Sequence, residues 1–118
     1  MIKLIRLTRH ETQPSQDSEI QRIWGPDVHI KQISESLPTD LRDAVNRFDE
    51  IAEDADVVEA VLPINLVEAI LKFSQFSRHG KAIVRAITER KVDDEGNVSF
   101  DFLHYEKIIK VETITERL

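Results

Sequence analysis

The chain has 118 residues, of which 41% are hydrophobic and 32% are charged, as expected for one folded domain. Its formal net charge of −6 argues against a broad surface for duplex nucleic acid, which needs clustered Lys and Arg, but not against a small phosphorylated ligand. The lack of cysteine excludes disulfides and thiolate metal sites.

No apolar stretch approaches the length that spans a membrane, so we expect no membrane partner. Met1 leads directly into an apolar run, without the pattern of a signal peptide. We therefore expect a cytoplasmic protein.

The first predicted strand, Ile2 to Leu7, is apolar at too many positions to have an exposed face, which indicates a central strand. Thr8, Arg9 and His10 follow directly at its carboxyl end. Ligands of open α/β sheets bind at the carboxyl ends of strands, so this loop is the first candidate for a functional site.

A helix is predicted next, from about Ser15 to Trp24, because its apolar residues fall at helical spacing. Thr12 and Ser15 are the candidates for capping its start, and Gly25 ends it. Residues 27–33 then alternate apolar and polar side chains, which predicts a strand at or near an edge of the sheet.

The middle of the chain predicts two helices separated by a buried strand. The first helix runs from Pro38 to Ala55, and the strand covers Val57 to Leu62. Asn65, followed three residues later by Glu68, resembles a capping box for a helix that continues to Phe76. This second helix is apolar on more than one face, which favours a subunit interface, and we predict a homodimer.

Two strands at Ala82–Thr88 and Val98–Phe102 are predicted to form an antiparallel hairpin around the turn residues 93–97. The tail, Ile108–Thr115, has β propensity. Together the elements predict one α/β domain over residues 1–118. It is a three-layer Rossmann-like fold with a mostly parallel sheet in the order 2-1-3-4 and a C-terminal antiparallel extension.

This strand order places two loops beside one another, Thr8–Thr12 and Leu62–Asn65, where the direction of winding reverses. Each loop opens a helix whose N-terminus favours an anion. Neither has the glycines of a dinucleotide fingerprint or a P-loop, since the only glycines are Gly25, Gly80 and Gly96. We expect no NAD, ATP or other cofactor.

Short motifs in these two loops resemble a known family. His10, Thr12, Pro14 and Gln16 follow the first strand, and Leu62–Leu66 (Leu-Pro-Ile-Asn-Leu) follows the third. The pattern, which extends over roughly the first two-thirds of the chain, is similar to small CRISPR-associated Rossmann-like accessory proteins of the ring nuclease type. Those proteins bind or cleave the cyclic oligoadenylate messengers of antiviral signalling.

The resemblance implies a homodimer with one cyclic oligoadenylate, expected to be cyclic tetra-adenylate, on its two-fold axis. Cleavage would need no metal, because each ribose 2′-OH attacks the adjacent phosphorus. The chain does not contain a complete catalytic motif of that family.

Attack by a 2′-OH needs donors for the phosphate oxygens and can use an acid or base. We expect Arg9 to hold a phosphate and His10 to transfer a proton, as the catalytic pair. The alternative is that Arg9 is a surface cation and His10 bonds the backbone of its loop. The candidate ligand contacts are Thr8, Thr12, Ile64 and Asn65, although Thr12 and Asn65 are also capping candidates.

Other polar residues have plainer interpretations. We expect His29 on a strand face, His79 at a helix C-terminus and His104 in an edge strand. The acidic run Asp93–Glu95 lacks the ligand spacing of a calcium loop, and we predict a solvated turn there and no metal site.

The sequence is compatible with three functions. The first is a metal-independent phosphodiesterase that opens a cyclic oligoadenylate. The second is a sensor or sponge that binds the same ligand without cleaving it. The third is a dimeric interaction module without a ligand, which depends only on the apolar helix at Leu66–Phe76.

Overall fold

The computed structural model describes residues 1–79, 81–111 and 116–117, and it forms one five-stranded sheet in the order β2-β1-β3-β4-β5. Strands β1, β2, β3 and β4 are parallel, and β5 is antiparallel to β4. This confirms the predicted α/β class and the strand order. The strands are β1 (Lys3–Leu7), β2 (His29–Ile33), β3 (Val57–Ala60), β4 (Ala82–Val92) and β5 (Val98–Lys107).

The helices cover both faces of the sheet, which gives the three predicted layers. They are α1 (Pro14–Trp24), α2 (Leu41–Ile51), α3 (Ile64–Phe73) and the short α4 (Gln75–Arg78). None of the helices in the described part of the chain is long and apolar enough to cross a bilayer.

Alternation along β1 divides the core between the two faces. Leu4 packs on the α1 side with Ile20, whereas Ile5 and Leu7 pack on the other side with the apolar faces of α2 and α3. Phe48 of α2 is completely buried there. Both faces of β1 are therefore covered, as predicted for a central strand.

The starts of α1 and α3 differ from prediction. Gln13, not Thr12 or Ser15, is the N-cap of α1, and its N–H donates to Oε1 of Gln16 at 2.7 Å. The extended backbone of Pro63 opens α3, so Asn65 lies inside the first turn and cannot cap it. The predicted capping box at Asn65 is therefore wrong, and Glu68 instead pairs with Lys72.

The β4–β5 hairpin is longer than predicted. β3 pairs only with the start of β4, from Ala82 to Val84, so the remainder of β4 is paired with β5 alone. A register shift at Ile87/Thr88 interrupts this ladder. In the tail, whose sequence has β propensity, residues 108–111 are outside regular structure, and residues 112–115 lie outside the described residues.

Gln13 attaches the start of α1 to the outer side of β5. Its Nε2 donates to the Phe100 carbonyl at 2.6 Å, and its Oε1 accepts from the Phe102 N–H at 3.1 Å. Because β5 is the last strand of the sheet, these contacts fix the hairpin against the loop that leaves β1.

Candidate functional site

A cavity of about 660 Å³ lies at the carboxyl ends of β1 and β3. Its walls come from the loop after β1, the loop between β2 and α2, and the loop that opens α3. This is the position at which open α/β sheets bind ligands. The polar side chains of the lining are Thr8, Arg9, His10, Glu35, Ser36, Thr39 and Asn65.

The loop after β1 is tied to the neighbouring strand by its backbone. The Thr8 N–H donates to the Ile33 carbonyl at 3.2 Å, and the His10 N–H donates to Oγ1 of Thr8 at 3.1 Å. Gln32 adds two longer contacts, from Nε2 to the carbonyls of Thr8 and His10, both at 3.5 Å. The loop backbone is held, while the side chains of Arg9 and His10 are exposed.

Arg9 crosses the cavity rim to the loop before α2, where its Nη1 donates to Oγ of Ser36 at 2.8 Å. The adjacent Glu35 is held by Arg47 through two contacts of 2.6 and 2.7 Å. The Arg47 hydrogen bonds lower the pKa of Glu35. The carboxylate in the wall is therefore matched by a cation, which reduces its repulsion of an anionic ligand.

The third wall is the first turn of α3. Its N-cap, Pro63, contributes no side-chain acceptor, so the positive end of the helix dipole remains available to a ligand. One donor is already engaged, because the Leu66 N–H donates to Oδ1 of Asn65 at 3.0 Å. Asn65 itself is exposed and lines the cavity.

The structure brings four of the six predicted site residues together: Thr8, Arg9, His10 and Asn65 all line the cavity. Thr12 does not line it, because its hydroxyl accepts a hydrogen bond from Arg6. Ile64 is also outside, since it is 72% exposed and lines a separate groove shared with Arg85. The cavity therefore joins Thr8, Arg9, His10 and Asn65, while Thr12 and Ile64 lie outside its lining.

Sequence reasoning missed a buried charged cluster beneath α1. Arg6 is 3% exposed and Glu59 is 5% exposed, and Nε of Arg6 lies 2.8 Å from Oε2 of Glu59. Nη1 of Arg6 also lies 2.8 Å from Oδ1 of Asp17 and donates to Oγ1 of Thr12 at 3.1 Å. A charged residue flanked by apolar residues in each of two neighbouring buried strands was the signal that could have identified this pair.

Tyr105 of β5 completes the cluster, because its hydroxyl donates to Oε1 of Glu59. Burial first, and then the hydrogen bond to Glu59 and its charge, raise the pKa of Tyr105, which keeps the phenol protonated. Burial alone would lower the pKa of Arg6, but the contacts with Glu59, Asp17 and Tyr105 raise it. Arg6 therefore remains a buried cation.

In the part of the chain that the structure describes, no group of three or more His, Asp or Glu side chains could hold a metal ion. The acidic turn is bound internally, since the Asp93 carboxylate accepts from the N–H groups of Glu95 and Asn97.

Comparisons with protein-family models and with curated proteins gave no match. A function for this chain is therefore inferred from the geometry of the cavity.

Proposed function

We propose that this protein binds a cyclic oligoadenylate, with cyclic tetra-adenylate as the expected ring, and opens it without a metal. The observation that supports the proposal is the convergence of Arg9, His10 and the start of α3 on one cavity. These groups come from the two loops that carry the resemblance to CRISPR-associated ring nucleases.

Phosphate capture would depend on donors rather than on overall charge. The Arg9 guanidinium, now bonded to Ser36, has further N–H groups with which to bind phosphate oxygens. The first turn of α3 adds the positive end of a helix dipole on the opposite wall. This local arrangement can attract an anion although the chain carries a net charge of −6.

The proposed reaction is an internal transesterification of the ligand. The ribose 2′-oxygen forms a bond to the adjacent phosphorus, and the bond from phosphorus to the 5′-oxygen of the next nucleotide breaks. The products at that linkage are a 2′,3′-cyclic phosphate and a 5′-hydroxyl. His10 accepts the 2′-OH proton, and the departing 5′-oxygen gains one, so the step needs no oxidant and no added water.

A second candidate is a sensor or sponge that binds the ring and leaves it intact. Bases in catalytic sites are usually oriented by a hydrogen-bonding partner. Within the described residues, the hydrogen bonds of His10 involve its backbone N–H and carbonyl, not its imidazole. This free imidazole favours binding over rapid cleavage unless the ligand orients it.

The proposal includes a cytoplasmic homodimer that holds the ring on its two-fold axis. The apolar side chains of α3, which suggested an interface, pack largely within the subunit, since Leu66, Val67 and Ile70 are buried. Ile64 and Phe73, which are 72% and 65% exposed, remain at its two ends. Light scattering with and without ligand tests the dimer, and a monomer in both conditions would contradict it.

The test of activity is incubation with cyclic tri-, tetra- and hexa-adenylate, with and without EDTA, followed by chromatography. Linear products in the presence of EDTA would support the enzyme. An intact ring that raises the thermal midpoint would support the sensor or sponge. If the ring stays intact and the thermal midpoint does not rise, both the enzyme and the sensor or sponge are excluded, and the interaction module remains.

Two matched controls separate the cavity from general surface effects. His29 is exposed at the amino end of β2, opposite the cavity, so His29→Ala is the control for His10→Ala. Arg22 is exposed in the last turn of α1, so Arg22→Ala is the control for Arg9→Ala. Both controls should bind and cleave as the parent protein does.

A further inference from the structure

We infer that Arg6 is a positioning residue, which fixes the loop bearing Arg9 and His10 through the hydroxyl of Thr12. Arg6 cannot contact a ligand in the cavity, because it is 3% exposed and is not part of the lining. Its effect on the site must therefore pass through the residues that it holds.

The loop between Thr8 and Gln13 is anchored at both ends. At the first end, backbone and side-chain contacts tie Thr8 to β2. At the second end, Arg6 donates to Thr12 at 3.1 Å, and Gln13 is fixed to β5. His10 lies midway between these anchors, so the position of its backbone depends on both.

The contact to Thr12 has a fixed origin because two carboxylates hold the Arg6 guanidinium. Glu59 of β3 and Asp17 of α1 each lie 2.8 Å from a guanidinium nitrogen. Glu59 in turn accepts the hydroxyl of Tyr105, which receives a 3.4 Å contact from Gln16. A guanidinium fixed in this way presents its donor to Thr12 in one direction only.

The energetic cost of this cluster supports a positioning role. Removing two charges from water usually costs as much as their attraction returns, so a buried pair is weak evidence for stability. An apolar pair at Arg6 and Glu59 would fill the same space without that cost. What an apolar pair would lose is the directional contact to Thr12.

The test compares two variants of Thr12, which lies outside the cavity. Thr12→Val keeps the shape of the side chain and removes the acceptor for Arg6, whereas Thr12→Ser keeps the hydroxyl. Amide hydrogen exchange measures the protection of the loop's backbone N–H groups directly, without any ligand. We expect Thr12→Val to accelerate exchange of the hydrogen-bonded N–H groups of His10 and Gln13 by about tenfold, with the amides of β3 unchanged and Thr12→Ser close to the parent.

The catalytic consequence rests on the proposed function. For cyclic tetra-adenylate, we expect Thr12→Val to lower kcat by about 10- to 100-fold and to change Kd by less than about threefold. Thr12→Ser should restore the parent kcat.

The outcomes separate this inference from the proposed function. Parent-like exchange in Thr12→Val, or equal loosening in Thr12→Ser, would overturn the role of Arg6. Loosening in Thr12→Val alone would support it even if the parent protein cleaves no cyclic oligoadenylate, a result that would count against the enzyme only.

Discussion

Two arginines three residues apart, Arg6 and Arg9, lie in opposite environments at the end of the same strand. Arg6 is buried on the α1 side, where Glu59, Asp17 and Thr12 surround its guanidinium. Arg9 is exposed at the cavity, where its Nη1 donates to Ser36. Nε and Nη1 of the first arginine contact groups within the protein, whereas the second arginine retains donors for a ligand.

The two environments follow from where β1 ends. Within β1, alternation directs Arg6 toward α1, and its charge must be matched inside the protein because water is excluded. Past Leu7 the chain leaves the sheet, and Arg9 can remain hydrated until a ligand replaces that water.

The largest effect is expected for Glu59→Leu, because it leaves Arg6 as a buried cation without its main partner. We expect a loss of about 3–5 kcal/mol in the free energy of unfolding, a large part of the total for a domain of this size. The double variant Arg6→Met/Glu59→Leu should be about as stable as the parent. Urea unfolding measures both, and a double variant less stable than Glu59→Leu would contradict this account.

The next largest effect is expected for His10→Ala. If His10 transfers the proton, cleavage of cyclic tetra-adenylate should fall by roughly 10²–10⁴-fold, while binding changes little. Single-turnover kinetics and a direct binding measurement separate these two quantities. Cleavage at the parent rate would remove His10 from the proposed mechanism.

A smaller effect is expected for Arg9→Ala. Its binding of cyclic tetra-adenylate should weaken by about 1.5–3 kcal/mol, the scale of a lost hydrogen bond to a charged group. The thermal midpoint without ligand should hardly change, because the Arg9 side chain is exposed. Calorimetry tests the first expectation, and unfolding of the variant would show that Arg9 has a structural role like that of Arg6.

The smallest effect concerns Glu35 at the cavity wall. Its pKa is lowered from the ordinary 4.5 by Arg47, so its stabilising contribution is complete above pH 4.5 and is lost as pH falls through the lowered value. Glu35→Gln should therefore lower the thermal midpoint slightly at neutral pH and not in strong acid. Salt should shrink the difference, because the pair is accessible to solvent. A difference that persists in acid would contradict the ion pair.

Periodicity and short connections were sufficient to predict the sheet order, because each strand and helix has one apolar pattern and one short route to its neighbour. They were not sufficient to locate Thr12. The Thr12 hydroxyl is oriented toward the Arg6 guanidinium. The orientation of Arg6 is set in turn by Glu59, which is 53 residues away in the sequence. No local pattern contains that information.

The hairpin was underestimated for a similar reason. The polar residues after Thr88 have a weak strand pattern, but they lie opposite β5, and Lys91 reaches Asp101 at 2.9 Å. The start of α3 was misplaced because Asn65 is a favourable cap in general, while Pro63 already supplies the extended N-cap. Both errors came from giving the local preferences of single residues more weight than pairing with the partner strand or the backbone conformation at the helix start.

The carboxamide of Gln13 has a consequence for the solubility of the chain. The last strand of a sheet presents unpaired N–H and C=O groups that can recruit a strand from another molecule and begin aggregation. Gln13 satisfies one such pair, at Phe102 and Phe100, as a neighbouring peptide group would. One side chain thereby occupies the place of an incoming strand on β5, next to the exposed ring of Phe100, and makes the growth of fibrils from this edge less favourable.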